Sequence, residues 1–250
     1  MSPVQRFAAK VAHVAQLTHD VRQIDFHLTD PETISFKAGQ FISFEVPDSR
    51  IGRPVTRPYS IASSPADAKN VSLLLNLVQG GPGSNYLFRL NEGDSVTFAG
   101  PAGNFYLRDD TDRELLFIAT GTGIAPIRSM ILLNAERERP RPMRLYWGLR
   151  TQRDLYYVDE LASLIRRDPE GIFVPTLSRP EAEWTGRTGR VTQLVEELAD
   201  VKNLEVYLCG SSGMIKDVTA RIQTKGLCPI FREKYYDDAN GETIDGRVAP

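Results

Sequence analysis

Thr56-Arg57-Pro58-Tyr59-Ser60 places a cation, an aromatic face and a hydroxyl on one short run, and Gly121-Thr122-Gly123-Ile124-Ala125-Pro126 follows later in the chain. If the first run is a strand, alternation sends Arg57 and Tyr59 to one face and Pro58 and Ser60 to the other. A flat ring lying across the strand's end would touch Tyr59 by stacking and Ser60 by a hydrogen bond, while Arg57 holds a phosphate bidentately. The same residues also suit an edge strand with a solvated Arg57 and a Tyr59 that caps a barrel. Gly80-Gly81-Pro82-Gly83-Ser84 offers a second anion signal. Glycines that open a helix leave free amides at the positive end of its dipole, although such a run can also be a plain turn.

The second motif follows an apolar run, Leu115–Thr120, and opens a helix expected over Pro126–Glu138. It departs from the dinucleotide pattern Gly-x-Gly-x-x-Gly at Pro126. Proline is tolerated in the first helical turn because its missing amide has no partner there anyway, so the helix start can still receive a pyrophosphate. Cys209, with Gly210 after it, closes a strand, Leu204–Leu208. Its thiol either meets a ligand at that strand end or is a small buried hydrophobe. Ser178 and Arg179 close Phe173–Leu177, where the adenosine ribose of a bound dinucleotide rests. Arginine there suits the 2′-phosphate of NADPH, whereas NADH usually meets a carboxylate. Arg150, Arg187 and Arg190 are the neighbouring cations, and the reading favours NADPH, the alternative being a solvated basic loop.

Two kinds of element must position these groups. Ala9–Leu17, Val21–Leu28, Gln40–Val46, Arg57–Ala62, Ser72–Val78 and Ser95–Ala99 are short β-rich runs punctuated by turn residues, with one helical interruption at Ser84–Leu90. Six such runs predict an antiparallel six-stranded β-barrel. From Glu114 the rhythm becomes strand, turn, helix: Leu115–Thr120, Met143–Gly148 and Glu205–Cys209 are followed by helices over Pro126–Glu138, Tyr157–Arg166 and Ser212–Lys225. That rhythm predicts an α/β domain with a parallel sheet, whose ligands sit beyond the carboxyl ends of its strands. The charged run Asp109–Arg113 marks the boundary. The expectation is a barrel domain over residues 1–110 and an α/β domain over 111–250, with residues 237–250 as a C-terminal extension.

With 250 residues, 41% hydrophobic and 25% charged, and a net charge of −2, the chain has globular composition and no polyanion-binding signature. No nucleic-acid partner is expected, nor any direct membrane insertion, and the amino terminus lacks a signal-peptide core, so a cytoplasmic setting is expected. Two cysteines exclude a four-thiolate cluster within the chain, and both are expected as free thiols. His13, His19 and His27 read as ordinary strand and turn residues, and no metal site is expected.

Arg57-Pro58-Tyr59-Ser60, Ala38-Gly39-Gln40-Phe41, Gly81-Pro82-Gly83-Ser84, the Gly121–Pro126 run and Cys209-Gly210 together resemble the ferredoxin–NAD(P)H reductase family, over residues 8–236. The resemblance implies FAD as cofactor. Arg57 and the helix start at Ser84 would hold its pyrophosphate, within a cradle of Pro58, Gly81 and Gly83; Tyr59 would stack on the isoalloxazine, and Ser60 would bond near flavin N5. Gly121, Thr122, Gly123, Pro126 and Gly210 would receive NAD(P)H, with Cys209 beside the nicotinamide carbon that gives up hydride. Tyr235 would cover the other flavin face, and Glu233 would assist proton or hydride movement. Plant-type members end at that aromatic, whereas this chain continues. The implied activity moves a hydride from NAD(P)H to FAD and single electrons onward to a ferredoxin, a flavodoxin or an oxygenase component. The rivals are a free flavin or ferric reductase, an electron-transfer subunit of a larger redox complex, and a binding module without flavin.

Overall fold

A computed structural model describes residues 5–48 and 50–236. The first half forms one antiparallel sheet from β1 (Arg6–Gln16), β2 (Val21–Asp30), β3 (Phe41–Asp48), β4 (Arg53–Ser60), β5 (Asn70–Asn76) and β6 (Ser95–Ala102), in the order β4-β3-β6-β1-β2-β5. Alternation turns Ile42, Phe44 and Val46 of β3 inward, where they meet Phe7, Phe26 and Phe98. The sheet curls until its two edge strands meet just past β4, at the Ile61–Leu73 bridge and the bond from Ala62 N to Ser72 O (2.8 Å). Helix α1 (Pro82–Phe88) follows β5. It starts two residues earlier than the sequence suggests, because Pro82 fits the first helical position.

The second half is a parallel sheet of β7 (Glu114–Thr120), β8 (Met143–Leu149), β9 (Ile172–Leu177), β10 (Arg187–Thr188), β11 (Leu204–Ser211) and β12 (Ile230–Tyr236), with helices α2 (Ile124–Ala135), α3 (Val158–Ile165), α4 (Val191–Glu196) and α5 (Ser212–Lys225). Its order, β10-β9-β8-β7-β11-β12, shows the chain building outward from β7 and then returning to its other side with β11. The strand order reverses between β7 and β11, which makes their carboxyl ends the crevice of the sheet. Both strands are mostly apolar, as burial on two faces requires, and the one buried charge within them, Glu205, is paired with Arg141. β10 and α4 are too short, at 2 and 6 residues, to show a period in the sequence.

The halves share one core. Val21, Ala38, Ala62, Leu74, Phe105 and Leu107 are buried in the same cluster as Phe117, Ile127 and Met130. Arg128 of α2 donates to Ala62 O (2.8 Å), Ser129 Oγ to Ser63 O (2.6 Å), and Ser64 Oγ to Glu136 Oε2 (2.7 Å). The connecting segment is held as well. The buried Arg141 guanidinium donates to the carbonyls of Arg108 (2.9 Å) and Thr111 (3.0 Å) and pairs with Glu205 (3.3 Å). Tyr207 OH donates to the same carboxylate (2.6 Å) and accepts from Arg108 N (2.8 Å). Among the described residues no helix is long and apolar enough to cross a membrane.

Candidate functional site

On β4 the antiparallel register sets Tyr59 opposite Ile42 and Arg57 opposite Phe44, so both side chains share the face those core residues occupy. Tyr59 meets Phe44 edge-on, with centroids 6.1 Å apart. Helix α1 closes on the same face. A Cβ at Gly83 would stand 2.4 Å from Tyr59 Oη and 3.0 Å from Arg57 Cβ, so only glycine lets the helix start come this near. Gly83 and Ser84 lie in the first turn, where helix geometry gives their amides no partner. The Ser84 hydroxyl is turned inward instead, accepting from Val78 N (3.1 Å), so what Ser84 offers an anion is its backbone. Gly81 caps the helix and Pro58 sits half-buried between Arg57 and Tyr59.

Ser60 faces the other way and is buried. Its hydroxyl donates to Glu233 Oε2 (3.1 Å) on β12, across the junction of the two halves. Burial pushes the Glu233 carboxyl up to about 7, and the bond from Ser60 opposes that rise. Glu233 stands beside Cys209 in the β11–β12 register. The Cys209 thiol is fully buried; burial first, and the Glu233 charge second, raise it well above its ordinary range, while Tyr235 hydrogen-bonds it. β11 runs past Cys209 to Ser211, so the thiol sits within the strand and Gly210 nearer its end.

Because a raised carboxyl binds its proton more tightly in the folded than in the unfolded chain, the folded state holds more protons between the ordinary value of 4.5 and about 7. Stability from this group is therefore full at low pH and is lost as pH rises through that window. A thermal midpoint that declines over that range in the parent and flattens in Glu233→Gln is the expected result; parallel curves would refute it.

At the crevice, Gly121–Gly123 forms a tight 3-10 turn that leads straight into α2 at Ile124, two residues before the expected start, leaving Pro126 inside the first turn. Trp147 Nε1 donates to Gly121 O (3.0 Å) and fixes the turn. A Cβ at Gly123 would stand 2.4 Å from Cys209 O, so the turn after β7 lies directly against β11. Thr122 is buried and its hydroxyl reaches Asn76 Oδ1 of β5 (3.2 Å). Further along the same sheet end, Arg179 N donates to Arg150 O (2.8 Å), and both side chains are exposed. Ser178 Oγ donates to Leu149 O (3.2 Å), which occupies its hydroxyl. Arg187 pairs with Glu197, and Arg190 is exposed at the start of α4.

The structure thus gathers the predicted residues in three places: Arg57, Tyr59 and α1; Ser60, Cys209, Glu233 and Tyr235; and the Gly121–Pro126 turn with Gly210. Arg150, Ser178 and Arg179 lie apart at the ends of β8 and β9. Sequence reasoning missed Asn76 and Arg128. Asn76 carries no motif. Arg128 left a trace as a lone charge in the apolar helix Ile124–Leu133, and its guanidinium also pairs with Glu160 (2.6 Å). Cys209 and Cys228 are free thiols. His19, Asp20 and Asp154 bring ligand atoms within 4.8 Å of one another, but Asp154 Oδ2 accepts from Thr151 N (2.7 Å) to cap a turn.

Two family models match the halves in turn: an oxidoreductase FAD-binding domain over residues 8–106 and an oxidoreductase NAD-binding domain over residues 117–220. Ferredoxin–NADP reductase B of Sorangium cellulosum is 34% identical over 86% of this chain and 90% of its own. The reductase component of phenol 2-monooxygenase from a Pseudomonas species is 31% identical over 99% of this chain and 70% of its own. The crystal structure of an Amycolatopsis cytochrome P450 reductase superposes with a TM-score of 0.85 at 30% identity, covering 96% of this chain and 72% of that one. An FAD-binding barrel joined through a shared core to an NAD(P)-binding sheet, with these relatives, makes the chain a member of the ferredoxin–NAD(P)H reductase family of flavin-dependent oxidoreductases.

Proposed function

We propose that the chain passes electrons from NAD(P)H through FAD to a separate one-electron carrier, a ferredoxin, a flavodoxin or an oxygenase component, with residues 1–110 holding FAD and residues 111–250 the nucleotide. The observation that carries this reading is the junction at Ser60 and Glu233, where the arginine- and tyrosine-bearing strand meets the strand beside the crevice. The residues fit FAD, because glycine at position 83 lets the start of α1, with its free amides, close on Arg57 and Tyr59. Arg57 and the amides of Gly83 and Ser84 would hold the pyrophosphate, and Tyr59 one face of the ring. Bound FAD supplies the conversion of a two-electron donor into single-electron transfers.

The chain's own groups do the rest. Gly121–Gly123 and the start of α2 hold the nucleotide pyrophosphate. Ser60 Oγ fixes the Glu233 carboxyl, which near neutral pH is placed to hold or release a proton at Oε2. Cys209, protonated and dry, shapes the floor between them. Replacement of Tyr59 by alanine is expected to weaken flavin retention by about 1–3 kcal/mol; unchanged flavin occupancy and fluorescence would remove the tyrosine from the site.

NADPH is the preferred donor in this proposal. Arg150 and Arg179 stand together and exposed at the sheet end, whereas Arg187 is already paired with Glu197. Anaerobic titration with each nucleotide, followed at the flavin band, tests both the function and the preference. Bleaching by NADPH at lower concentration than NADH is expected, and Arg179→Ala should raise the NADPH requirement about tenfold while sparing NADH. A colourless protein, or one indifferent to both nucleotides, would overturn the reading. Among these acceptors, an oxygenase component is supported by the phenol 2-monooxygenase reductase component, which matches nearly the whole chain. A cytoplasmic setting is proposed on the strength of the two free thiols.

A further inference from the structure

We infer that the groove between α5 and β12 docks an extended acidic segment of a partner protein. The groove has a volume of about 430 Å³ and runs along α5 from Ser212 to Gln223, with Arg232 and Lys234 of β12 forming its other wall. β12 is the last strand of its sheet, so among the described residues only β11 pairs with it. Such an edge presents backbone donors and acceptors to an incoming strand.

The side chains match that occupant. Arg232 and Lys234 are two apart and therefore on one face, roughly 7 Å from each other along the strand, which is the spacing of alternate side chains in an extended peptide. Lys216 opposes them from α5, and among the described residues no Asp or Glu lines the groove. The length of α5 involved is about 16 Å at the helical rise, enough for about five extended residues. Cations distributed along that length, rather than converging on one point, favour a chain of carboxylates over a single phosphate.

The test is fluorescence anisotropy of a labelled hexapeptide of alternating glutamate and valine, titrated with the full, flavin-loaded chain. Saturable binding that weakens steeply with salt is expected. The double variant Lys216→Glu, Arg232→Glu should weaken it by at least about tenfold, whereas Lys216→Arg should preserve it. Both positions are exposed, so flavin retention and bleaching by NADPH should be unchanged in each variant and report an intact fold. Absence of saturable binding at low salt, or equal binding by the charge-reversed variant, would overturn the proposal. Competition by inorganic pyrophosphate as effective as that by unlabelled peptide would also overturn it, by reducing the groove to a simple anion patch.

Discussion

Arg141→Ala is expected to lower the stability of the chain by about 3–5 kcal/mol, the cost of leaving one member of a buried ion pair without the other. The Arg141 side chain is 6% exposed and that of Glu205 1%, so water cannot replace the lost partner. The carboxylate would keep only Tyr207, whose hydroxyl burial, first, and Glu205 itself hold protonated. The carbonyls of Arg108 and Thr111 would lose their donor at the same time, which loosens the segment joining the halves. Urea unfolding followed by tryptophan fluorescence measures the loss. The control is on the same segment: Asp109 and Arg137 also pair, but the carboxylate is 71% exposed, and Arg137→Ala should cost no more than about 1 kcal/mol. Equal effects of the two substitutions would show that the buried pair has no special weight.

Gly123→Ala is expected to slow reduction by NADPH about a hundredfold while leaving the flavin in place. Its backbone angles are those of an ordinary helical residue, so the cost is one of space. The new Cβ would lie 2.4 Å from the oxygen and 2.7 Å from the carbonyl carbon of Cys209, both main-chain atoms of a central strand. Neither can rotate away, so the turn after β7 and the strand β11 must part. Overpacking of this kind typically costs about 1–3 kcal/mol. A displacement approaching 1 Å at the crevice would cost about a hundredfold in the rate of bleaching. Arg57, Tyr59 and α1 lie in the other half, so the variant should still purify yellow. A variant that loses flavin, or one that is reduced at the parental rate, would show that the close approach does not set the nucleotide site.

How legible this was differs by element. The six barrel strands and the three strand–helix units were plain because alternation and turn residues repeat along them, and Arg57, Tyr59 and Gly123 were marked by type and spacing. The helix starts were misplaced by two residues because Pro82 and the Gly121–Gly123 turn are compatible with either boundary. The inward turn of the Ser84 hydroxyl and the meeting of Ser60 with Glu233 depend on contacts far apart in sequence, which no local pattern encodes. The same holds for the grip of Arg141 on the connecting segment: in sequence Asp109–Arg113 is only a charged run, and its polar backbone is satisfied by a residue outside it.

The shared core has a bearing on motion during turnover. Two domains joined by a small polar contact can swing open and shut to admit a substrate. Here Ala38, Ala62, Phe105 and Leu107 are sealed against Phe117, Ile127 and Met130, and parting them would expose that surface to water at about 25 cal/mol for each Å². The halves therefore behave as one rigid frame. Movement that admits the nucleotide is therefore expected at the crevice mouth, in side chains such as Tyr235, rather than at a hinge between the lobes.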